Sequence, residues 1–323
     1  MNETITEPGN AYLLGPTARA LSWSEVRDWQ PDDGILWVHL DYSQAEAADW
    51  VRRDSGMSAI EAGAILAEET RPRSLVLEQG LLVILRGVNL NPGADPEDMI
   101  SVRIWMDDRR IISTGQRKLI AIDDLRSQIV QGRGPGNPGE FLVHLGELLE
   151  ERISDVVDDV VDVVDSLEDE VISGNHQELR FALSSVRRQA VALRRYLAPQ
   201  REALGRLFSE RSALLDDSVR MRIRELTDRM TRFIEDLDEA RDRASVTHEE
   251  LQNRLAELTN RRMYLLTMIA AIFLPLSFLT GLLGINVGGI PGSDFPAAFA
   301  IVVVLMVLVG AGQWLFFRWR KWF

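Results

Sequence analysis

Two stretches of this chain carry no charge, and they decide most of what it can become. From Met263 to Gly284 there is no Asp, Glu, Lys, Arg or His, and from Phe295 to Phe317 there is none either. Each reaches the roughly 20 apolar residues needed to cross a hydrocarbon core. One such run would also suit a buried helix of a soluble protein. Two of them, both at the C-terminal end and joined by a loop of about ten residues, predict a two-helix membrane hairpin, because lipid admits only segments that satisfy their own backbone hydrogen bonds. The polar, acidic start Met1 to Pro8 has neither a basic nor an apolar region of the kind a signal peptide needs, so none is expected.

The positive charges orient the hairpin. Arg261 and Arg262 precede the first run, Arg318, Arg320 and Lys321 follow the second, and the connecting loop holds no Lys or Arg. Positive flanks stay on the cytoplasmic side, so both termini and the large body before Arg262 are expected in the cytosol of a bacterial-type inner (plasma) membrane. Tyr264, Trp314, Trp319 and Trp322 stand near the same ends, where amphipathic rings prefer the headgroup layer.

Composition narrows the function of the body. Of 323 residues, 49 are acidic and 36 basic, a formal charge of −13, which disfavours nucleic acid and favours cations as partners. No cysteine is present, which excludes disulfides, thiolate zinc sites and cysteine nucleophiles. The four histidines, His39, His144, His176 and His248, are scattered, without zinc-ligand spacing. No nucleophile–base pair, catalytic metal triad or phosphate loop appears, so neither an enzyme nor a permanently bound cofactor is expected.

The body begins as an α+β cytosolic domain, assigned to residues 1–131. Short β-like runs occur at Ile35 to Asp41, Ser74 to Leu77, Leu81 to Val88, Met99 to Met106 and Ile111 to Ser113, with Asp107-Asp108-Arg109-Arg110 as a hairpin turn. Helical spacing marks Gln44 to Asp54 and Ser58 to Ala67, the second opened by Ser58 with Glu61 three residues on. Gly132 to Gly139 reads as a linker or exposed loop. A helical region, 132–217, follows. In it Asp155, Asp158, Asp162 and Asp165 share one stripe, which is either a cation-attracting surface or an ordinary solvated face.

A stalk helix, 218–262, is expected to run without interruption into a first span, 263–284. Ile223, Leu226, Met230, Phe233, Leu237, Ala240, Ala244, Thr247, Leu251 and Leu258 alternate in steps of three and four, broken only at Arg254. That is a seam for packing against copies of the chain or against neighbours, and it is expected to hold an oligomer together with the first span. From Ile223 to Gly284 such a rod measures about 90 Å at 1.5 Å per residue. Extending the stepping into the span selects Met263, Thr267, Ala270, Leu274, Ser277, Gly281 and Gly284, a small or polar face that suits close packing or a pore lining. Two spans per chain cannot enclose a pore, so transport would need several copies. Asn286 follows that face, where a ring of amide oxygens would replace part of a cation's water shell; its plain alternative is a turn or cap residue. The outer loop 285–294 ends at Asp294, which reads as an outer-mouth charge for cations or as the cap of the second span, 295–317. A basic cytosolic tail, 318–323, closes the chain.

Gly284-Ile285-Asn286 at the end of a span, after Pro275 within that span and a long helix before it, and with a basic tail behind the second span, resembles the CorA-type metal-ion transporters, whose hallmark there is Gly-Met-Asn. Ile285 in the Met position, Glu69-Thr70-Arg71-Pro72-Arg73, Leu85 to Gly93 and Gly288 to Gly292 look most like the zinc-transporting ZntB branch. Ile290-Pro291-Gly292 departs from the Met-Pro-Glu of the magnesium branch. The resemblance implies a funnel-shaped homopentamer, with an α/β domain over long stalk helices and the first span lining the pore. It also implies proton-coupled uptake of Zn²⁺, with Ni²⁺, Co²⁺ and Cd²⁺ as further substrates. Zinc efflux, a magnesium or cobalt channel of the same fold, and a tethered sensor that transports nothing stand as alternatives. Neither span holds an ionisable residue, so the ion is expected to pass hydrated, guided by Asn286 and backbone carbonyls, with any titrating group outside the bilayer core.

Overall fold

The computed structural model describes residues 9–15, 18–68, 70–78, 80–173, 176–285 and 295–320. They form two compact units, one up to His248 and one from Glu249 onward.

The first unit is built on a seven-stranded mixed sheet. Its strands are β1 (Gly9–Leu14), β2 (Arg19–Leu21), β3 (Ile35–Asp41), β4 (Arg73–Leu77), β5 (Gly80–Gly87), β6 (Ile100–Met106) and β7 (Arg110–Gly115), in the spatial order β2-β1-β3-β7-β6-β5-β4. Every pairing is antiparallel except β3 with β7. The unbroken apolar run Leu81 to Leu85 makes β5 a strand covered on both faces, as its burial confirms. The β6–β7 turn lies where the sequence places it, with Asp107 Oδ1 accepting the backbone N–H groups of Arg109 at 2.8 Å and Arg110 at 2.6 Å.

One face of the sheet is covered by three short helices, α1 (Trp23–Asp28), α2 (Ala45–Arg53) and α3 (Ala59–Ile65). Their Trp23, Val26, Ala47, Val51, Ala62 and Ile65 share a core with Val38, Leu40, Leu82, Trp105 and Ile112. Ser58 caps α3 in a full capping box with Glu61, as its spacing predicts; Ser22 and Glu25 do the same for α1. The other face receives α4 (Ile120–Val130) and α5 (Pro138–Ser173). There Trp37, fully buried, stacks on Tyr12 at 5.3 Å and meets Phe141 of α5 edge-on at 5.0 Å. Gly87 permits this close approach: a Cβ on it would lie 2.6 Å from Leu149 Cδ2 and 2.8 Å from Leu119 Cδ1.

Two guanidinium groups of this unit have no carboxylate partner among the described residues. Arg103 is fully buried, stacks on Tyr42 at 4.2 Å and donates from Nη2 to the carbonyls of Ala67 at 2.6 Å and Glu68 at 3.0 Å. Arg86 stacks on Tyr196 and donates to the carbonyls of Met99 and Thr70. Both tie the α3–β4 connection to the sheet.

Three long helices complete the architecture: α5, α6 (His176–Ser209) and α7 (Asp217–Leu283). The seam of α7 takes the second of the two roles its periodicity allows, packing against neighbours in the same chain. Ile223, Leu226, Met230, Phe233, Leu237, Ala240, Ala244 and Thr247 are all buried within a single chain. The neighbours are α5 and α6. Gly146 of α5 comes so near that a Cβ on it would sit 2.8 Å from Leu226 Cδ1, and Arg222–Glu147 at 2.6 Å, Arg229–Glu150 at 3.0 Å and Arg243–Glu168 at 2.5 Å join α7 to α5. Arg194 of α6 pairs with Asp238 at 2.8 Å. Apart from Arg229–Glu150, whose carboxylate is buried, these pairs are largely open to solvent and contribute at most about 1 kcal/mol each, so the buried seam supplies most of the cohesion. Side chains spent on the chain's own core are not available to a second copy, which corrects the expectation that this part of the seam holds an oligomer. Of the acidic stripe on α5, Asp155, Asp158, Asp162 and Asp165 are exposed, and Asp165 pairs with Arg243 at 2.5 Å.

The second unit holds the end of α7 and α8 (Ala298–Trp319), each long and apolar enough to cross a membrane. Their apolar windows are almost wholly exposed in the isolated chain, with Phe273, Leu274, Phe278, Phe299, Leu308 and Leu315 all open. Exposed apolar surface on that scale belongs in lipid or against other copies.

Candidate functional site in the membrane helices

The first span has two distinct faces. Within its own unit, α7 is covered at Met268 and partly covered at Ala271, Ile272, Pro275, Leu276 and Leu279. On α8 the covered positions Ala298, Val302, Met306, Gln313 and Phe317 recur in similar steps. Each stripe follows helical periodicity, so each helix turns one face inward within the unit. Met263, Thr267, Ala270, Leu274, Ser277 and Gly281 are all exposed. At 3.6 residues per turn they centre roughly 150° from the covered stripe, on the far side of α7.

That far side carries Thr267, Ala270, Ser277 and Gly281 beside the larger Met263 and Leu274, and all are exposed among the described residues. A Cβ on Gly281 would meet no atom within 4 Å. Thr267 donates its hydroxyl to the Met263 carbonyl at 2.9 Å, so what it turns outward is lone-pair oxygen, an acceptor suited to cations and their water. Thr280 is likewise bonded to the carbonyls of Leu276 and Ser277. Pro275 stands inside α7, where it removes one backbone donor. The helix ends with the Gly284 N–H donating to the Thr280 carbonyl at 2.9 Å, and Ile285 follows it, half exposed. Asn286 and Asp294 lie outside the described residues, as do Lys321 and Trp322.

One polar group of this unit escaped the sequence reading. Gln313, on the covered face of α8, buries its carboxamide oxygen without a partner. A lone Gln in an apolar run gives no periodic signal by itself; its depth in the hairpin is what singles it out. Among the described residues no group of three or more His, Asp or Glu side chains is placed to hold a metal ion.

Comparison with known proteins gives one consistent answer. Residues 32–320 match the family described as CorA-like Mg²⁺ transporter protein. The divalent cation transporter CmaX of Pseudomonas aeruginosa is 42% identical over 303 residues, covering 92% of this chain and 90% of that protein. The zinc transport protein ZntB of Pectobacterium atrosepticum is 37% identical over 287 residues, 88% of this chain and 87% of that one. Among solved structures, full-length CmaX superposes with a TM-score of 0.86 at 38% identity over 99% of this chain and all of that one. The CorA magnesium transporter of Methanocaldococcus jannaschii shares the fold, with a TM-score of 0.83 at 19% identity over 99% of this chain and all of that one. The chain belongs to the CorA-like family of divalent-cation transporters, on the branch that holds ZntB and CmaX.

Proposed function

We propose that the chain moves Zn²⁺ across a bacterial inner membrane through a pore formed by five copies, with the far face of α7 turned to the axis. The observation that carries this reading is the segregation of the first span. Its apolar covered side is inward within the unit, and Thr267, Ser277 and Gly281 stand together on the opposite side, where no described residue packs against a Cβ placed on Gly281. A ring of such helices packs closely and still leaves a narrow axis. Asn286 at the end of each first span presents amide oxygens to a hydrated ion, and Asp294 concentrates cations at the outer mouth. Both chain ends face the cytosol, as the arginines at 261, 262, 318 and 320 favour.

Weak contact through water discriminates poorly among transition metals, because affinity differences act through direct ligands; Ni²⁺, Co²⁺ and Cd²⁺ are therefore carried too. Transport is uptake coupled to protons. With no ionisable side chain in either span, the titrating groups belong to the outer loop or to the cytosolic unit. The zinc relatives support the choice of ion. Magnesium is the second reading, favoured by the description of the matched family. Purified protein in liposomes separates them: metal entry is followed for Zn²⁺ and Mg²⁺, with and without an inward proton gradient. Zn²⁺ entry that rises with the gradient is the expected result. Entry of Mg²⁺ alone, or of neither ion, would overturn it.

A further inference from the structure

The first unit contains a crevice at the one parallel pairing of its sheet. Strands β3 and β7 lie side by side and parallel, and the chain leaves them toward opposite faces of the sheet. After Asp41 it enters α2, whose Ala47 and Val51 pack with Val38 and Leu40. After Gly115 it enters α4, whose Arg126 bonds the Tyr12 hydroxyl at 2.8 Å on the other face, beside Trp37. Neighbouring parallel strands whose helices part in this way open a gap beyond their carboxyl ends, and open α/β sheets take ligands there. Here the gap is a cavity of about 570 Å³, within the roughly 300–1,000 Å³ of small-molecule sites.

Its walls are chemically uneven. On the β3 side stand His39, Asp41 and Gln44, and on the β7–α4 side Gly115, Lys118 and Arg126. Three basic side chains, Arg117, Lys118 and Arg126, line the cavity beside the carboxylates Asp41 and Asp123; Arg126 pairs with Asp123 at 3.1 Å, and Arg117 is held by Asp98 at 2.5 Å. Lys118 is paired with Asp123 at 3.2 Å yet is 68% exposed, free to turn to a stronger anion. The amino end of α4, 11 residues long, opens beside it: its cap residue Leu119 supplies no side-chain hydrogen bond, and of the first turn's donors Ile122 N–H turns to the Leu119 carbonyl at 3.0 Å.

His39 is the group aimed at the space. Its Nδ1 lies 2.9 Å from Ser113 Oγ, which also accepts the Trp37 indole N–H at 2.9 Å. With the Ser113 proton on Nδ1 rather than on the Val38 carbonyl at 3.4 Å, the neutral ring carries its hydrogen on Nε2 and acts there as a donor. Among the described residues Nε2 has no hydrogen-bond partner. A Cβ on Gly115 would lie 3.9 Å from it, so the absent side chain of Gly115 is what keeps the approach clear. Asp41 holds Ser43 through Oδ1 and only distantly Gln44 through Oδ2, at 3.4 Å, and so retains acceptor capacity for a hydroxyl.

We propose that this crevice binds a phosphorylated small molecule of nucleotide size. Its phosphate sits on Lys118, the open amides of α4 and His39 Nε2, and its hydroxyl-bearing part lies against Asp41 and Gln44.

The test is calorimetric titration of the full chain, purified in detergent, with ADP, adenosine and inorganic phosphate in turn. ADP is expected to bind once per chain, and both adenosine and phosphate about tenfold more weakly or less. Lys118→Ala should weaken ADP about tenfold while leaving the melting temperature unchanged. Gly115→Leu, which fills the space beside His39, should abolish binding. Absence of ADP binding at millimolar concentration overturns the proposal. Binding indifferent to both substitutions does so as well, since it places the nucleotide elsewhere. Inorganic phosphate binding as tightly as ADP would refute the nucleotide class.

Discussion

Leu237 offers a direct measure of what the α7 seam does. It is 1% exposed in the isolated chain, at the centre of the contact that α7 makes with α5 and α6. Truncation to alanine removes three carbons, about 2.4 kcal/mol at roughly 0.8 kcal/mol per methylene. Helices on both sides hinder collapse of the vacated space, and a residual cavity brings the total to about 3 to 4 kcal/mol. At about 2–4 °C per kcal/mol for a unit of this size, the melting temperature should fall by about 10 °C. The assay is unfolding of the full chain in detergent, followed by tryptophan fluorescence, with oligomer mass measured below the transition. Trp23, Trp37 and Trp105 are buried in the first unit and report on it. Leu258→Ala is the control: this residue continues the same periodicity but is 42% exposed, and its truncation should cost less than about 0.5 kcal/mol. An unchanged melt for Leu237→Ala accompanied by a lower oligomer mass would refute the argument, because it would place the seam between copies.

Three further outcomes are expected. Asn286→Ala should lower metal flux about tenfold with folding and assembly intact if the amide meets the hydrated ion, and normal flux would remove it from the path. Asp294→Asn keeps the capping ability and deletes the charge, so uptake at limiting Zn²⁺ should fall and lose its dependence on salt; equal salt dependence in both proteins would leave Asp294 as a cap. His39 titrates at about 4, held below the ordinary 6.5 first by burial and then by Arg126. The unfolded chain therefore binds this proton more readily, and the stability His39 confers is complete above about pH 6.5 and is lost as pH falls toward 4, by up to about 3 kcal/mol. Denaturation of His39→Gln across that range should show a shallower pH slope than the parent, and an identical slope would show that the ring is not desolvated.

How much of this was legible in the sequence depends on the reach of each signal. Absence of charge over some twenty residues is local and unambiguous, so the two apolar helices could be read directly. Strands β3, β5 and β6 announced themselves by β-branched and apolar runs, and Ser58 with Glu61 by capping chemistry. Strands β1 and β2 and helix α1 passed unseen, since Gly9–Leu14 shows no alternation and β2 is only three residues long. They exist because β3 offers an edge to pair with.

Periodicity determined that α7 has a sticky face; only the fold decided what sticks to it. A three-four repeat encodes the geometry of one helix surface and is silent about whether the partner is a copy or a neighbour in the same chain. That choice came from α5 and α6 returning beside α7, with Gly146 allowing contact and Glu147, Glu150 and Glu168 meeting its arginines. The same holds for His39 and Lys118. They are 79 positions apart in sequence, and nothing local links them. The parallel pairing of β3 with β7, and the departure of their helices to opposite faces, brings them to one cavity. Composition and local spacing thus determined the membrane hairpin, the helical stalk and the small-residue face of the first span. Tertiary structure decided which surfaces are spent within the chain and which are left for ions, ligands or further copies, because burial depends on pairings between distant segments that no local pattern records.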